Sequence, residues 1–314
     1  MRPCGLYASD RKGKWCCMKR THRETLQGYA FVAPSIVIAG TFLGLASLFV
    51  LYMSFHRVNL IAGTFEFIGI DNYRRALIDP TLRRAVRNTL TFSAVVVTSQ
   101  TFLALVVAAV LNSKIRFKKT FRSIIFLPTL TSSAALTMMF MFIFSIRGPV
   151  NDLLIMSGIL APGEGINFLQ NITWTLSVIM VMNIWSTVPF YMTLYLASLQ
   201  ELPKSMYEAA NIDGASEVRK FFSITVPYLR PITTYVVLTG IIGTMQMFDQ
   251  AYIFSGGDGG PANSTLTITL LVYRYAFGPA NAMGYASMIA IALMLLIFII
   301  TLIVNRINRE ERIF

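Results

Sequence analysis

The chain has 314 residues, of which 55% are hydrophobic and 13% carry a formal charge, and its net charge is +12. Soluble globular domains have about twice that charged share, roughly 25%. Too few charged side chains are therefore present to cover a soluble protein of this length. The composition excludes an ordinary two-domain soluble protein and predicts an integral membrane protein.

The N-terminal segment 1–28 is a basic tail that holds all three cysteines, Cys4, Cys16 and Cys17. Because no cysteine follows downstream, neither a disulfide framework nor a four-ligand zinc site can be built. The two histidines, His22 and His56, lie far from any cluster of ligands, so no metal site is predicted. A reduced, cytoplasmic tail is the simplest interpretation.

Six apolar stretches are long enough for a helix to cross the hydrocarbon layer, which takes about 20 residues. The first stretch is too long for a signal peptide and lacks a convincing cleavage site, so it is interpreted as a retained span. The predicted fold class is an all-α membrane protein with six transmembrane helices. The spans are approximately Tyr29–Phe55, Asn88–Leu111, Phe121–Ser145, Ile172–Leu199, Ile232–Phe254 and Met283–Val304.

The distribution of Lys and Arg predicts that both termini are cytoplasmic. In that orientation 19 of the 27 basic residues lie inside, in the segments 1–28, 112–122, 200–231 and 305–314, as the positive-inside rule expects. The first extracytoplasmic loop, 56–87, is an exception with six arginines. Asp79-Pro80 predicts a helix start, N-cap followed by proline, and a helix from there to Leu111 carries some of these arginines into water. A core of five helices then covers 88–305, and a short tail 306–314 follows.

The cytoplasmic loop 201–231 is much longer than a connector between two spans needs to be. Pro203 can open a helix, Asp213-Gly214 is a strong stop signal, and Ser216 can cap a second short helix. Two short helices with mixed charge predict a structured surface for a partner. The alternative is a loop that simply lies on the membrane.

The same loop carries a family resemblance. Glu208-Ala209-Ala210, Gly214, Ile224 and Pro227 resemble the EAA loop of permeases from binding-protein-dependent ABC importers, although Val226 stands where the family usually has Leu. Over about 29–305 the chain is similar to the sugar-permease branch, related to the maltose and glycerol-3-phosphate systems. The other matching segments are Phe67–Tyr73, Phe126–Pro128, Tyr195–Gln200, Phe248–Tyr252, a stretched Ser255–Pro261 and Gly284–Ser287.

The resemblance implies a type I ABC importer permease, not an enzyme, in the cytoplasmic (inner) membrane. The loop would dock on a separate ATPase, and the partners would be a second permease, two ATPase subunits and an extracytoplasmic binding protein that delivers a carbohydrate. A homodimer of permeases is also compatible with the sequence. No Gly-x4-Gly-Lys-Ser/Thr loop occurs, and Gly13-Lys14 is only a fragment of one. ATP and Mg²⁺ are therefore expected on the ATPase, with no cofactor on this chain and no nucleic acid as partner.

Polar residues within the spans predict a substrate path. Hydroxyl and amide groups next to aromatic rings suit a sugar, which offers hydroxyls and apolar faces. Packing between helices is the alternative for the Ser, Thr and Asn residues, and a solvated position for the one carboxylate within a predicted span. The span interiors contain no Arg or Lys for a phosphate, which favours a neutral sugar. The candidates are Asn183, Ser186, Thr187, Tyr191, Gln246 and Asp249, and Pro189 predicts a kink among them.

Two other classes of protein are weaker alternatives. A stand-alone ion-coupled carrier usually has internal repeats and intramembrane acids, whereas Asp249 is the only such acid and no clear repeat is found. A membrane-embedded enzyme needs clusters of His, Asp or Glu in its spans, and the sequence has none.

Overall fold

The computed structural model describes residues 7–9, 15–17, 22–59, 61–113 and 116–310, and Cys4 lies outside these ranges. The chain divides into two compact units, Met1–Tyr52 and Met53–Phe314. The first unit contains an antiparallel hairpin of β1 (Tyr7–Ser9) and β2 (Trp15–Cys17). It continues with α1 (His22–Ala39), a π-helical stretch (Gly40–Leu45) and α2 (Ala46–Ser54).

The second unit begins with a hairpin of β3 (His56–Asn59) and β4 (Thr64–Phe67), in which His56 pairs with Phe67. The two hairpins are short exceptions to the all-α prediction. Helices α3 (Asp71–Ile78) and α4 (Pro80–Asn112) follow. Asp79 Oδ1 accepts hydrogen bonds from the backbone N–H groups of Thr81 at 2.8 Å and Leu82 at 3.4 Å. The predicted helix start at Asp79-Pro80 is confirmed.

The third predicted span is wrong as one straight helix. It consists of α5 (Lys118–Leu130) and α6 (Ser133–Ile143), which meet at an angle of 99°. Thr131 and Ser132 are extended, and the Ser132 hydroxyl caps α6 by accepting from the N–H of Ala135 at 3.3 Å. The hydroxyl of Ser132 thus caps a new helix inside the stretch that the sequence predicted as one continuous span.

The remaining elements fit the predicted order with two differences. The fifth span is broken, because α12 stops before Gln246 and α13 starts at Asp249, and the turn-rich outer loop contains an additional short apolar helix, α14. The bounds are α7 Pro149–Met156, α8 Trp174–Gln200, α9 Lys204–Ile212, α10 Glu217–Lys220, a π-helical stretch Phe221–Thr225, α11 Val226–Tyr228, α12 Arg230–Met245, α13 Asp249–Ser255, α14 Ile268–Phe277 and α15 Met283–Glu310.

Five helices in the described residues are long and apolar enough to span a membrane, or six when the bent pair α5–α6 is one span. In the second unit, α4 packs against α8 and α12. One apolar cluster forms around Phe92, Ile179 and Tyr285. The other forms around Met192 and Tyr195, toward the end of α8 that leads into the 201–231 loop. The same arrangement brings the polar side chains of α4, α8 and α12 into one interior.

Candidate functional site

The loop between α8 and α12 is built around a left-handed turn. Helix α9 ends with hydrogen bonds from Asp213 N to Ala209 O at 3.1 Å and from Ala215 N to Ala210 O at 2.9 Å. Gly214 has φ +70°, in the region where a side chain is strained. Its hydrogen atom in place of a side chain therefore lets the chain reverse between α9 and α10.

The two halves of the loop are tied together by polar contacts. Ser216 accepts from the N–H of Arg219 at 3.3 Å and starts α10, as its position predicts. Lys220 is 4% exposed, and its ammonium donates to Asn211 Oδ1 at 2.6 Å and pairs with Glu217. A hydrogen bond joins the hydroxyls of Tyr207 and Thr225. Lys220 was missed in the sequence, where only its spacing of three residues from Glu217 signals the pair.

The motif residues of the loop do not all face outward. Glu208, Ala209, Gly214 and Pro227 are exposed, whereas Ala210 is buried and Ile224 is half-buried. Four large apolar side chains are exposed on the same loop, by 43% to 88%, although apolar groups normally avoid water. They are Met206, Ile212, Val218 and Phe222. The role of the motif residues in contacting a partner stays a prediction.

Three of the six predicted path residues line one polar cavity of about 200 Å³ at the break between α12 and α13. Asn183 comes from α8, Gln246 ends α12 and Asp249 starts α13. The described residues around this cavity include no Lys or Arg. Two polar residues that line it were not among the predicted path residues. These are Ser133 at the bend of the third span and Gln250, and the remaining lining residues are Gly243, Met247 and Phe248.

Hydrogen bonds link the elements around the cavity. Asn183 Nδ2 donates to Gln250 Oε1 at 3.2 Å, and Gln250 Nε2 lies 3.5 Å from the Ser133 hydroxyl. Asn183 is 8% exposed, and its Oδ1 has no hydrogen-bond partner in the structure. A buried acceptor without a partner is costly in apolar surroundings. Asn183 thus places an unused acceptor oxygen beside the cavity.

The break in the fifth span is stabilised by side chains from the outer loop. The carbonyl oxygen of Met247 accepts from the hydroxyl of Thr267 at 3.1 Å and also from that of Thr269. Irregular backbone at membrane depth requires such partners, because lipid offers none. The sequence pattern did not indicate this break, because the whole stretch Arg230–Ser255 is apolar enough on average to be one span.

The other three predicted path residues lie outside the cavity. Ser186 donates to the carbonyl of Asn183 in its own helix at 3.0 Å, and Thr187 Oγ1 lies 2.8 Å from Gln100 Oε1. Tyr191 is buried in the second apolar cluster with Met192 and Tyr195. The contact of Ser186, Thr187 and Tyr191 with substrate stays a prediction.

A third polar cluster lies at the N-terminus of α4. Asp79 Oδ2 accepts from the hydroxyls of Tyr285 at 2.8 Å and Tyr275 at 3.2 Å, and the Arg75 guanidinium lies 4.3 Å from the centroid of the Tyr285 ring. Burial alone would raise the pKa of Asp79, but the hydrogen bonds from Tyr285, the Thr81 and Leu82 backbone and Tyr275 outweigh it and hold that pKa below its usual value. The cluster joins α14 and α15 to the N-terminus of α4.

Sequence comparison identifies relatives over nearly the whole chain. The lactose transport system permease protein LacF of Rhizobium radiobacter is 34% identical over 302 residues, which cover 94% of this chain and 100% of the relative. The arabinooligosaccharides transport system permease protein AraP of Bacillus subtilis (strain 168) is 34% identical over 278 residues, covering 88% and 86%.

Structural comparison gives the same fold. A bacterial alginate ABC transporter, solved in complex with an alginate pentasaccharide-bound periplasmic protein, has a chain that matches with a TM-score of 0.78 at 22% identity, covering 92% of this chain and 96% of that chain. The fold is that of a type I permease. Residues 100–313 match the family described as binding-protein-dependent transport system inner membrane component. The chain belongs to this family and is a permease subunit of an ABC importer.

Proposed function

We propose that this permease translocates a neutral carbohydrate that an extracytoplasmic binding protein delivers. The observation that carries the proposal is the polar cavity at the breaks of two helices, lined by Asn183, Gln246, Gln250 and Asp249. Transporters commonly bind substrate where interrupted helices expose polar groups at membrane depth. Amides and a hydroxyl suit sugar hydroxyls, and the Phe248 ring offers a face on which a sugar can stack.

The charge of the cavity favours a neutral substrate over an acidic one. Its described lining contains one carboxylate, Asp249, and no cation that would pair with a substrate carboxylate or phosphate. Lactose and arabino-oligosaccharides, named for the two relatives, are neutral, whereas alginate is acidic. Lactose and arabino-oligosaccharides are therefore the first substrates to examine.

The size of the cavity supports assembly with a second permease. Its volume of about 200 Å³ is below the roughly 300–1,000 Å³ typical of sites for drug-sized ligands. We infer that it is one wall of a chamber that a second, similar permease completes. Two ATPase subunits would carry ATP and Mg²⁺, and the 201–231 loop, with Glu208, Ala209, Ala210, Gly214, Ile224 and Pro227, would dock on one of them, with both termini on the cytoplasmic side.

Uptake by the complete transporter in proteoliposomes, supplied with its binding protein, tests the function. Radiolabelled lactose, maltose, arabino-oligosaccharides and an alginate oligosaccharide are offered with and without internal ATP. We expect ATP-dependent uptake of at least one neutral sugar and none of alginate. Uptake that follows an ion gradient without ATP would instead establish the stand-alone carrier, and preferential uptake of alginate would overturn the neutral assignment.

A further inference from the structure

A buried amide that the path prediction did not include lies beyond the cavity, on the side toward the 201–231 loop. Gln100 of α4 is 1% exposed and lies at the crossing of α4, α8 and α12. Its amide contacts Thr187 of α8, with Oε1 at 2.8 Å from the Thr187 hydroxyl. On the other side it lies so close to Gly240 of α12 that a side-chain carbon there would overlap its Nε2.

The depth of Gln100 follows from its two neighbours. Thr187 lies four residues beyond the cavity residue Asn183 on α8, and Gly240 lies three residues before the cavity residue Gly243 on α12. These steps correspond to about 6 Å and 4.5 Å along the helix axes. Because α8 and α12 run in opposite directions, both steps lead to the same side of the cavity, toward the end of the bundle that carries the 201–231 loop.

The Gln100 amide has unused hydrogen-bonding capacity. Its Nε2 is buried and has no partner in the structure. Thr187 Oγ1 also lies 2.8 Å from the Asn183 carbonyl, and its single proton can serve only one of the two oxygens. Either way round, one atom of the Gln100 amide is unsatisfied. Such a group costs stability, whereas Met at this position would fill the space without an unsatisfied group.

We propose that Gln100 is the next carbohydrate contact after the cavity, on the side toward the 201–231 loop, and that its packing between Thr187 and Gly240 blocks that side in this conformation. Gly240 leaves the space that the amide occupies, and a shift of α12 would free that amide to hydrogen-bond with sugar hydroxyls on their way to the cytoplasmic side. This inference rests on the proposed function, because it requires that a carbohydrate enters the cavity. The ligand class is a neutral sugar, held through its hydroxyls.

The decisive variant is Gln100→Met, which keeps the length of the side chain and removes the amide. Uptake is measured in the reconstituted transporter with the panel sugar that the wild type carries fastest, together with the thermal stability of the complex. We expect the maximal uptake rate to fall about three- to tenfold, the effect of one neutral hydrogen bond, with stability unchanged or raised. The matched control is Ser93→Ala. It removes a buried hydrogen bond of 2.8 Å between the hydroxyls of Ser93 on α4 and Thr244 on α12. Because these two hydroxyls are already paired with each other, the change should affect uptake little.

A second variant tests the contact with Gly240. Gly240→Ala should displace the amide and lower uptake, and combining it with Gln100→Met should cause no further loss, because both changes remove the same contact. Normal uptake by Gln100→Met while the wild type carries sugar would overturn this inference alone. A double variant whose loss of uptake is the product of the two single losses would also overturn it. A loss of uptake in Gln100→Met that is accompanied by an equal loss of thermal stability would overturn it as well. Absence of sugar uptake by the wild type would overturn the proposed function itself.

Discussion

The 201–231 loop and the polar cavity distribute polarity in opposite ways. The loop exposes apolar side chains, with Ile212 88% exposed, and buries the cation of Lys220. The cavity does the reverse, since Asn183 and Gln250 hold amides within an apolar bundle. An exposed apolar surface is stabilised when a protein partner covers it, and buried polar groups are stabilised by a ligand that bonds with them. The difference agrees with the proposed docking surface at one place and the proposed substrate chamber at the other.

The largest expected effect comes from the turn of the loop. Gly214→Val places a β-branched residue at φ +70°, where the left-handed conformation costs about 1–2 kcal/mol, and should distort the surface around Glu208. We expect uptake to fall at least about tenfold while ATP hydrolysis by the complex continues. Proteoliposome uptake and ATPase rate, measured together, give the coupling ratio.

The matched control for this variant is Gly158→Val. Gly158 also has a left-handed conformation, with φ +75°, and open space around it, but it follows α7 in a different connection between spans. It carries the same backbone strain without touching the 201–231 loop. Equal losses of uptake in both variants would mean that general destabilisation, and not the loop, causes the effect.

A smaller effect is expected at the cavity. Asn183→Leu removes the hydrogen bond to Gln250 and the free acceptor oxygen, so uptake should fall about three- to tenfold, as for one hydrogen bond to substrate. The ATPase rate without substrate should not change. Ser177→Ala on the same helix, where the hydroxyl bonds only with its own backbone, is the control. Unchanged uptake in Asn183→Leu would remove Asn183 from the path.

Lys220→Met examines how strongly the loop depends on its buried cation. The variant loses the bond to Asn211 and the pairing with Glu217, but both partners are exposed and water can solvate them. We therefore expect a coupling ratio lowered only about two- to fourfold, with faster proteolysis of the loop. The neighbouring exposed Arg219→Gln should leave both measurements unchanged, and an identical response of the two variants would contradict a tether formed by Lys220.

The smallest effect on transport is expected at Asp79, which belongs to neither region. Its pKa is lowered in the folded protein, so its contribution to stability is present above the unfolded pKa of about 3.9 and is lost as the pH falls through the folded pKa. The thermal stability of the wild type should therefore fall more between about pH 5 and pH 3 than that of Asp79→Asn. These two pH values lie about one unit above and below the unfolded pKa. Uptake at pH 7 should be equal in both. Parallel pH profiles would exclude the effect of the carboxylate.

The sequence predicted those features that depend on local signals. Asp79-Pro80 and Ser216 start helices as expected. The bend at Ser132 and the break at Gln246 were missed, because each lies within a stretch that is apolar on average over the length of a span. Their stability comes from distant partners, such as Thr267 bonding with Met247. Gln100 was missed for the same reason, since its role depends on Gly240, which lies 140 residues away.

The link between loop and cavity can be measured with a thiol at the cavity. Gln246→Cys is placed in a background in which Cys4, Cys16 and Cys17 are replaced by Ser, and its labelling rate is compared before and after trapping of the ATPase with vanadate. We predict that trapping changes the labelling rate, and that adding Gly214→Val abolishes the change. An equal change with and without Gly214→Val would contradict transmission from the 201–231 loop to the cavity.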